Sequence, residues 1–374
     1  MDTLKGELAS FETLKDIKSL LASEGPCLSV YMPLSKAGVN PNVKQDALRW
    51  QECLRNAEEK IKPHGKKGRE LLEAISSWDA VVQGQEPQGK SIAVFRARDT
   101  FQVIWLQQEV VDRAVVGPHF YIRPLLPALT RDNTFYVLAL SQKDIRLLRC
   151  TSRTSDDVPF PAGTVTSFEH WMNTAEPDHT NENRGEVVAS KDKDQFLSHF
   201  FKQIDRGLSE VLRGHTEPLV LAGVDYELTL YRELNRYPHL AKESVQGAPN
   251  SLKAGEMHAR ALEALDRCYK TQVDDALTEW NHKVGGGASS RLKDVIKAAH
   301  DGRVLTLLVS DSLEKTGVFD EDTHVVKGRK TGTVEDEDLV NDAAVQTILH
   351  AGKVLVAPHH KMPNGAALAA IFRF

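Results

Sequence analysis

The chain has 374 residues, about two and a half times a usual single domain of roughly 150, so two or three domains are expected. With 41% hydrophobic and 26% charged residues it is neither a disordered nor a fibrous chain. The 52 acids outnumber the 47 lysines and arginines, for a net charge of −5, which excludes coating of nucleic acid by bulk charge and confines any basic surface to a local patch.

Cys27, Cys53, Cys150 and Cys268 lie too far apart for a zinc knuckle or redox dithiol, and four cysteines are too few to staple a secreted scaffold, so a reducing compartment is expected. The N-terminus, MDTLKGELASFETLKDIKSLL, mixes its charges instead of placing a basic stub before an apolar run. No apolar stretch of about 18 residues occurs anywhere, so the expectation is a cytoplasmic protein with no membrane contact.

The first block, 1–128, carries strand patterns at Leu28–Met32, Ile92–Phe95 and Phe101–Val111. Between them Val43, Ala47, Trp50, Leu54, Ala57 and Ile61 step by three and four, the spacing of one helical stripe. From Lys36 to Arg69 nine bases face four acids. Lys44, Arg55 and Lys62, spaced eleven and seven, fall within about 20° of one another on such a helix. A row of this kind can track a phosphate backbone; an ordinary solvated helix face is the alternative. His119–Pro127 (HFYIRPLLP) reads as an extended, proline-punctuated connector.

The second block, 129–284, opens with a hairpin, Thr134–Leu140 and Ile145–Cys150 around SQKD. A polar stretch, 170–194, shows no apolar period and holds six acids against three bases. Long stretches of this kind are functional loops or disordered connections. A helix over Gln195–Leu212, a buried strand over Pro218–Val224 and a long helix from about Ala254 to Trp280 come next, the order of an α/β layer.

The third block, 288–374, contains an echo: HDGRVL at His300–Leu305 and HAGKVL at His350–Leu355, each after an Ala-rich helical pattern and before an apolar strand. Two related helix–strand units are expected, each histidine sitting in a last helical turn before a C′ glycine. Ala367–Phe374 reads as a final strand, and the acid-rich 311–342, with ten acids and four bases, reads as a solvated loop.

Catalytic motifs are scarce. Gly285–Gly287 lacks the Walker Lys-Ser or Lys-Thr and the third glycine of GxGxxG, so it reads as a linker with a serine N-cap after it. No HExxH, GxSxG or DxDxDG occurs, and His359–His360–Lys361 reads as an exposed turn before Pro363. No metal site and no cofactor are expected.

Gly25–Pro33, Phe135–Arg149 (FYVLALSQKDIRLLR), Pro218–Leu240 (PLVLAGVDYELTLYRELNRYPHL), GRVLTLLV and the last segment, GKVLVAPHHKMPNGAALAAIFRF, together resemble bacterial proteins related to archaeal and eukaryotic class I peptide-chain release factors and Pelota. The resemblance covers nearly the whole chain in order. It implies an α/β fold of three domains: an α+β N-terminal domain (1–128), an RNase H-like middle domain (129–284), and an α/β/α sandwich (288–374) resembling kink-turn-binding ribosomal proteins and able to contact a protein partner.

In true release factors the middle domain presents a Gly-Gly-Gln loop to the peptidyl-tRNA ester, and the first domain reads codons with an Asn-Ile-Lys-Ser loop. Here the corresponding middle-domain loop reads Asn183, Arg184, Gly185, Glu186, without paired glycines or glutamine. Its glutamate would oppose a developing oxyanion. Asn42, Val43, Lys44 and Gln45 loosely match the decoding loop but lack its serine.

The resemblance therefore implies a ribosome-associated factor without ester hydrolysis, acting in rescue, stalling or dormancy. Asn42, Lys44, Arg49, Arg55 and Lys62 would meet ribosomal RNA, and His179 and Asn183–Glu186 would reach toward the tRNA acceptor end; DNA is not an expected partner. Two alternatives stay open: a metal-dependent hydrolase or nuclease using Asp178, His179 and Glu186, and a protein–protein adaptor.

Overall fold

The computed structural model describes residues 7–8, 17, 20–21, 23, 25–35, 43–62, 65–83, 89–106, 108–127, 134–151, 154–174, 190–320, 323–328 and 337–374. The chain divides into two compact units, unit 1 (Met1–Thr130 with Val273–Phe374) and unit 2 (Arg131–Gln272).

The first sheet of unit 1 contains β1 (Glu7–Leu8) and β2 (Cys27–Pro33). After β2 the chain forms helices α1 (Val43–Ile61), α2 (Gly65–Glu73) and α3 (Trp78–Val82), then strands β3 (Ser91–Arg96), β4 (Phe101–Leu106) and β5 (Arg113–Gly117). The strand order is β1-β4-β3-β2-β5, with antiparallel pairing except between β1 and β4. Strand side chains alternate between faces, and here both faces are covered. Leu28, Val30, Met32, Ile92, Val94 and Val103 pack with Trp50, Leu54, Ala57 and Ile61 of α1. Tyr31, Ala93, Phe95 and Ile104, on the other face, join a cluster that includes residues near the C-terminus. The strand expected over Phe101–Val111 stops at Leu106.

In unit 2 the hairpin forms as expected: β6 (Thr134–Ala139) pairs antiparallel with β7 (Arg146–Thr151), and β7 with β8 (Ser155–Val158). Then come α4 (Phe168–Thr174), α5 (Ser190–Val211), β9 (Leu219–Gly223), α6 (Asp225–Leu234), β10 (Leu240–Gln246) and α7 (Ala254–Lys283). The order β10-β9-β6-β7-β8 places two parallel strands beside the first strand of an antiparallel meander. Leu197, Phe200, Phe201, Ile204 and Leu208 of α5 and Leu228 and Tyr231 of α6 cover one face, and Met257, Ala261 and Ala264 of α7 the other. The unit is an α/β/α layer. Its polar stretch is shorter than the sequence suggests, because α4 runs to Thr174 and α5 begins at Ser190.

Unit 1 resumes within α7. Trp280 Nε1 donates to Ser289 O at 3.3 Å and Lys361 Nζ to Asp274 Oδ1 at 2.7 Å, tying the end of this helix to the C-terminal elements. Those elements are β11 (Ala288–Ser289), α8 (Leu292–His300), β12 (Val304–Ser310), β13 (Thr316–Asp320), β14 (Val325–Gly328), β15 (Glu337–Asp338), α9 (Leu339–Leu349), β16 (Lys353–Ala357) and β17 (Leu368–Phe372). They build a four-stranded sheet, β11-β17-β12-β16, and a three-stranded one, β14-β13-β15. The sequence echo corresponds to α8–β12 and α9–β16, whose strands pair parallel.

Three expectations need correction. No serine caps α8: Arg291 is its N-cap, and Ser289 Oγ instead accepts from Arg291 N at 3.1 Å. His300 is more than a dipole partner, since its Nε2 lies 2.9 Å from Asp342 Oδ2 in a pair that is 11% and 5% exposed. The acid-rich 311–342 contains β13, β14 and β15, and Asp338 is an ion-paired N-cap rather than a solvated side chain.

The connector His119–Pro127 is also different in kind. Phe120, Tyr121, Ile122, Leu125 and Leu126 are buried. Tyr121 N donates to Ser29 Oγ at 2.9 Å and Ile122 N to Asn341 Oδ1 at 2.7 Å, so main-chain donors that a linker would leave to water are satisfied inside.

Candidate nucleic-acid interface

Helix α1 keeps its register because one stripe is apolar and anchored. Trp50 packs against Trp78 and donates Nε1 to Ile75 O at 2.9 Å. Asp46, 1% exposed, accepts from Ser35 N at 2.9 Å. With the stripe held inward, Lys44, Arg55 and Lys62 are all exposed, and none is ion-paired among the described residues. At 1.5 Å per residue the row spans roughly 27 Å. Glu58 and Glu59 are exposed about 40° and 60° from it, so the cations stand beside acids rather than in an unbroken positive field.

Arg49 is placed differently. Its Nη1 donates to Pro33 O at 3.0 Å and its Nε lies 3.9 Å from Asp112, which turns the guanidinium toward the protein. Lys60 donates to Ala114 O at 2.7 Å, and its pKa is lowered by burial with a further contribution from Arg113. Cys53, beside Asp112, has its thiol pushed up to about 12 by burial and that carboxylate, so it is not a nucleophile. Helix α2 adds exposed Lys66, Lys67 and Arg69. They are part of the basic surplus of Lys36–Arg69, but their spacing has no relation to the period of α1, so the helical stripe does not reveal them. Asn42 lies outside the described residues.

His179, Asn183, Arg184, Gly185 and Glu186, with Asp178, also lie outside the described residues. The elements on either side are well anchored. Phe168 and Trp171 of α4 stack at 6.1 Å, and Phe168 meets Phe200 of α5 edge-on at 5.5 Å. At the start of α5, Asp194 accepts from the Tyr226 hydroxyl, a bond that pushes that phenol up to about 12. Gln142 Nε2 donates to buried Glu227 at 3.2 Å, and Asn250 Nδ2 to Ser141 Oγ at 2.7 Å, so loops after β6 and β10 bond to one another and to α6.

Among the described residues no three His, Cys, Asp or Glu converge as a metal site, and no helix is long and apolar enough to cross a membrane. His359–Lys361 forms a short 3-10 helix whose His359 N–H donates to Asp311 at 3.1 Å.

Residues 134–303, which include all the strands of unit 2, match the model of bacterial archaeo-eukaryotic release factor family 3. The similarity to this family is shown over that stretch of the chain. No curated protein matches it. Among solved structures it is similar to Dom34 of S. cerevisiae, a translation termination-like factor, with 12% identity, coverage of 98% of this chain and 94% of that one, and a TM-score of 0.38. An archaeal Pelota from a ribosome-bound assembly matches at 14% identity, 98% and 95% coverage and a TM-score of 0.36. The archaeal termination factor aRF1 matches at 17% identity, 97% and 98% coverage and a TM-score of 0.24.

Proposed function

We propose that this protein is a cytoplasmic, ribosome-associated factor of release-factor architecture that acts without hydrolysing the peptidyl-tRNA ester. The observation that carries the reading is the family match over 134–303, combined with a sequence in which no Gly-Gly-Gln occurs. The segment that would meet the acceptor end of tRNA contains Asn183–Glu186. A single glycine there lacks the backbone freedom of a glycine pair, and a glutamate in that loop would bring a carboxylate toward an oxyanion that needs donors.

The strand order of unit 2, a three-stranded antiparallel meander extended past its first strand by two parallel strands reached through helices, supports an RNase H-like middle domain. The paired α8–β12 and α9–β16 units support an α/β/α C-terminal domain of the kind that binds a protein partner. In this reading ribosomal RNA is met by Lys44, Arg55 and Lys62, with Lys66, Lys67 and Arg69 extending the surface, while Arg49 braces α1 against Pro33 and Asp112.

Each phosphate contact adds roughly 0.7–0.9 to the slope of log affinity against log salt. The triple substitution Lys44→Glu, Arg55→Glu, Lys62→Glu should therefore weaken co-sedimentation with ribosomes and lower that slope by about two to three. Unchanged binding and slope would remove α1 from the interface.

A further inference from the structure

Several elements of unit 1 have no solvent face. Helix α9, LVNDAAVQTIL, is buried from Leu339 to Ile348. A helix with no exposed face needs cover on all sides. Strands β2 and β3 are likewise buried on both faces. The cover is mutual: Tyr31, Ala93, Phe95 and Phe120 share one apolar cluster with Val340, Ala343, Ala344 and Ile348.

Polar bonds set the register of this seam. Asn341, 5% exposed, accepts from Ile122 N at 2.7 Å and donates to Phe120 O at 3.1 Å, so one side chain satisfies both a donor and an acceptor of the connector. Arg123, 8% exposed, gives Nη1 to Asp338 Oδ2 at 2.8 Å and Nη2 to Ser310 O at 3.0 Å. Asp338 Oδ1 in turn accepts from Lys315 N and Val340 N. At the rim, Arg113 pairs with Glu314 at 2.6 Å and lies over the Tyr121 ring. A buried network of this kind is stable only when every member is present.

We propose that the N-terminal sheet with its helices and the C-terminal α/β module are one obligate, cooperatively unfolding body, locked by Phe120–Arg123 into α9, so that the basic face of α1 and the C-terminal module move together. This goes beyond the RNA reading and is independent of it.

Native-state hydrogen exchange on the full chain in rising denaturant, with no RNA present, tests it. Amides of β2, β3, β12 and α9 should open at a common denaturant midpoint with a common slope. Asn341→Leu, which leaves Ile122 N–H and Phe120 C=O buried without partners, should speed exchange in all four elements by the same factor, roughly ten- to hundredfold. Exchange of β6 and β9 should be unchanged. If that variant fails to fold, Ser29→Ala provides a milder lesion at Tyr121 N–H, and the wild-type pattern decides by itself. Opening of β2 and β3 at a lower midpoint than α9 and β12, or a shift confined to α9, would overturn the proposal.

Discussion

Ala351 adopts φ 57°, a left-handed conformation in which a Cβ costs roughly 1–2 kcal/mol. It does so because α9 ends in a Schellman pair, Ala351 N to Ile348 O at 3.0 Å and Gly352 N to Thr347 O at 2.7 Å. Helix α8 ends in the same motif, Gly302 N to Ala299 O and Arg303 N to Ala298 O, but there the left-handed position is Gly302. The two HxG sequences thus differ by one residue in their capping register, so the expected C′ glycine holds for His300 and fails for His350. Ala351→Gly should raise stability by about 0.5–1 kcal/mol in thermal melts, the relief of strain less the added freedom of the unfolded chain.

Asp205 makes a second residue-level prediction. It is buried and accepts from Tyr231 Oη and Arg236 N, yet its pKa is raised, with burial the largest cause. A carboxyl raised in the folded state contributes stability below its ordinary value, near 4, and loses it as pH climbs through the raised value. Asp205→Asn keeps an acceptor and removes the charge. The stability difference between variant and wild type, tracked by denaturant titration from about pH 4 to 7, should therefore shift in favour of the variant; a flat difference would contradict the assignment.

At the scale of elements, close approach explains the second glycine of the echo. A Cβ on Gly352 would meet Thr347 Cγ2 at 2.6 Å and Val304 O at 2.7 Å, where α9 turns into β16 beside β12. Gly352→Ala should destabilise by at least about 1–3 kcal/mol on chemical unfolding. Elements whose own periodicity decides their fate were legible beforehand. The stripe Trp50, Leu54, Ala57, Ile61 sets α1 and with it the outward row of Lys44, Arg55 and Lys62. The hairpin of β6 and β7 and the parallel echo strands were readable for the same reason. What was misread depends on distant partners. HFYIRPLLP has the prolines of a linker, and partners distant in sequence, Ser29 for Tyr121 and Asn341 for Ile122, make it interior chain. Acids from Asp311 to Asp342 read as solvated until Arg123 and His300 come to meet Asp338 and Asp342. One signal was available: α9 is only weakly amphipathic, with Leu339, Val340, Ala343, Ala344, Val345 and Ile348 spread round its circumference.

At the scale of the whole molecule, the chain leaves unit 1 between Thr130 and Arg131 and returns between Gln272 and Val273, so unit 2 is an insertion into another folded body. That arrangement dictates an order of events on the translating machinery. The strands bearing Tyr31 and Phe95 are synthesised first, yet part of what shields them, Val340 and Ala344 among others, comes only after all of Arg131–Gln272. At ~5–20 residues per second the interval is on the order of ten seconds. Throughout it the nascent polypeptide carries an oily sheet surface awaiting its mate, an obvious landing place for a chaperone, while the inserted unit has every residue it needs to fold ahead of its host.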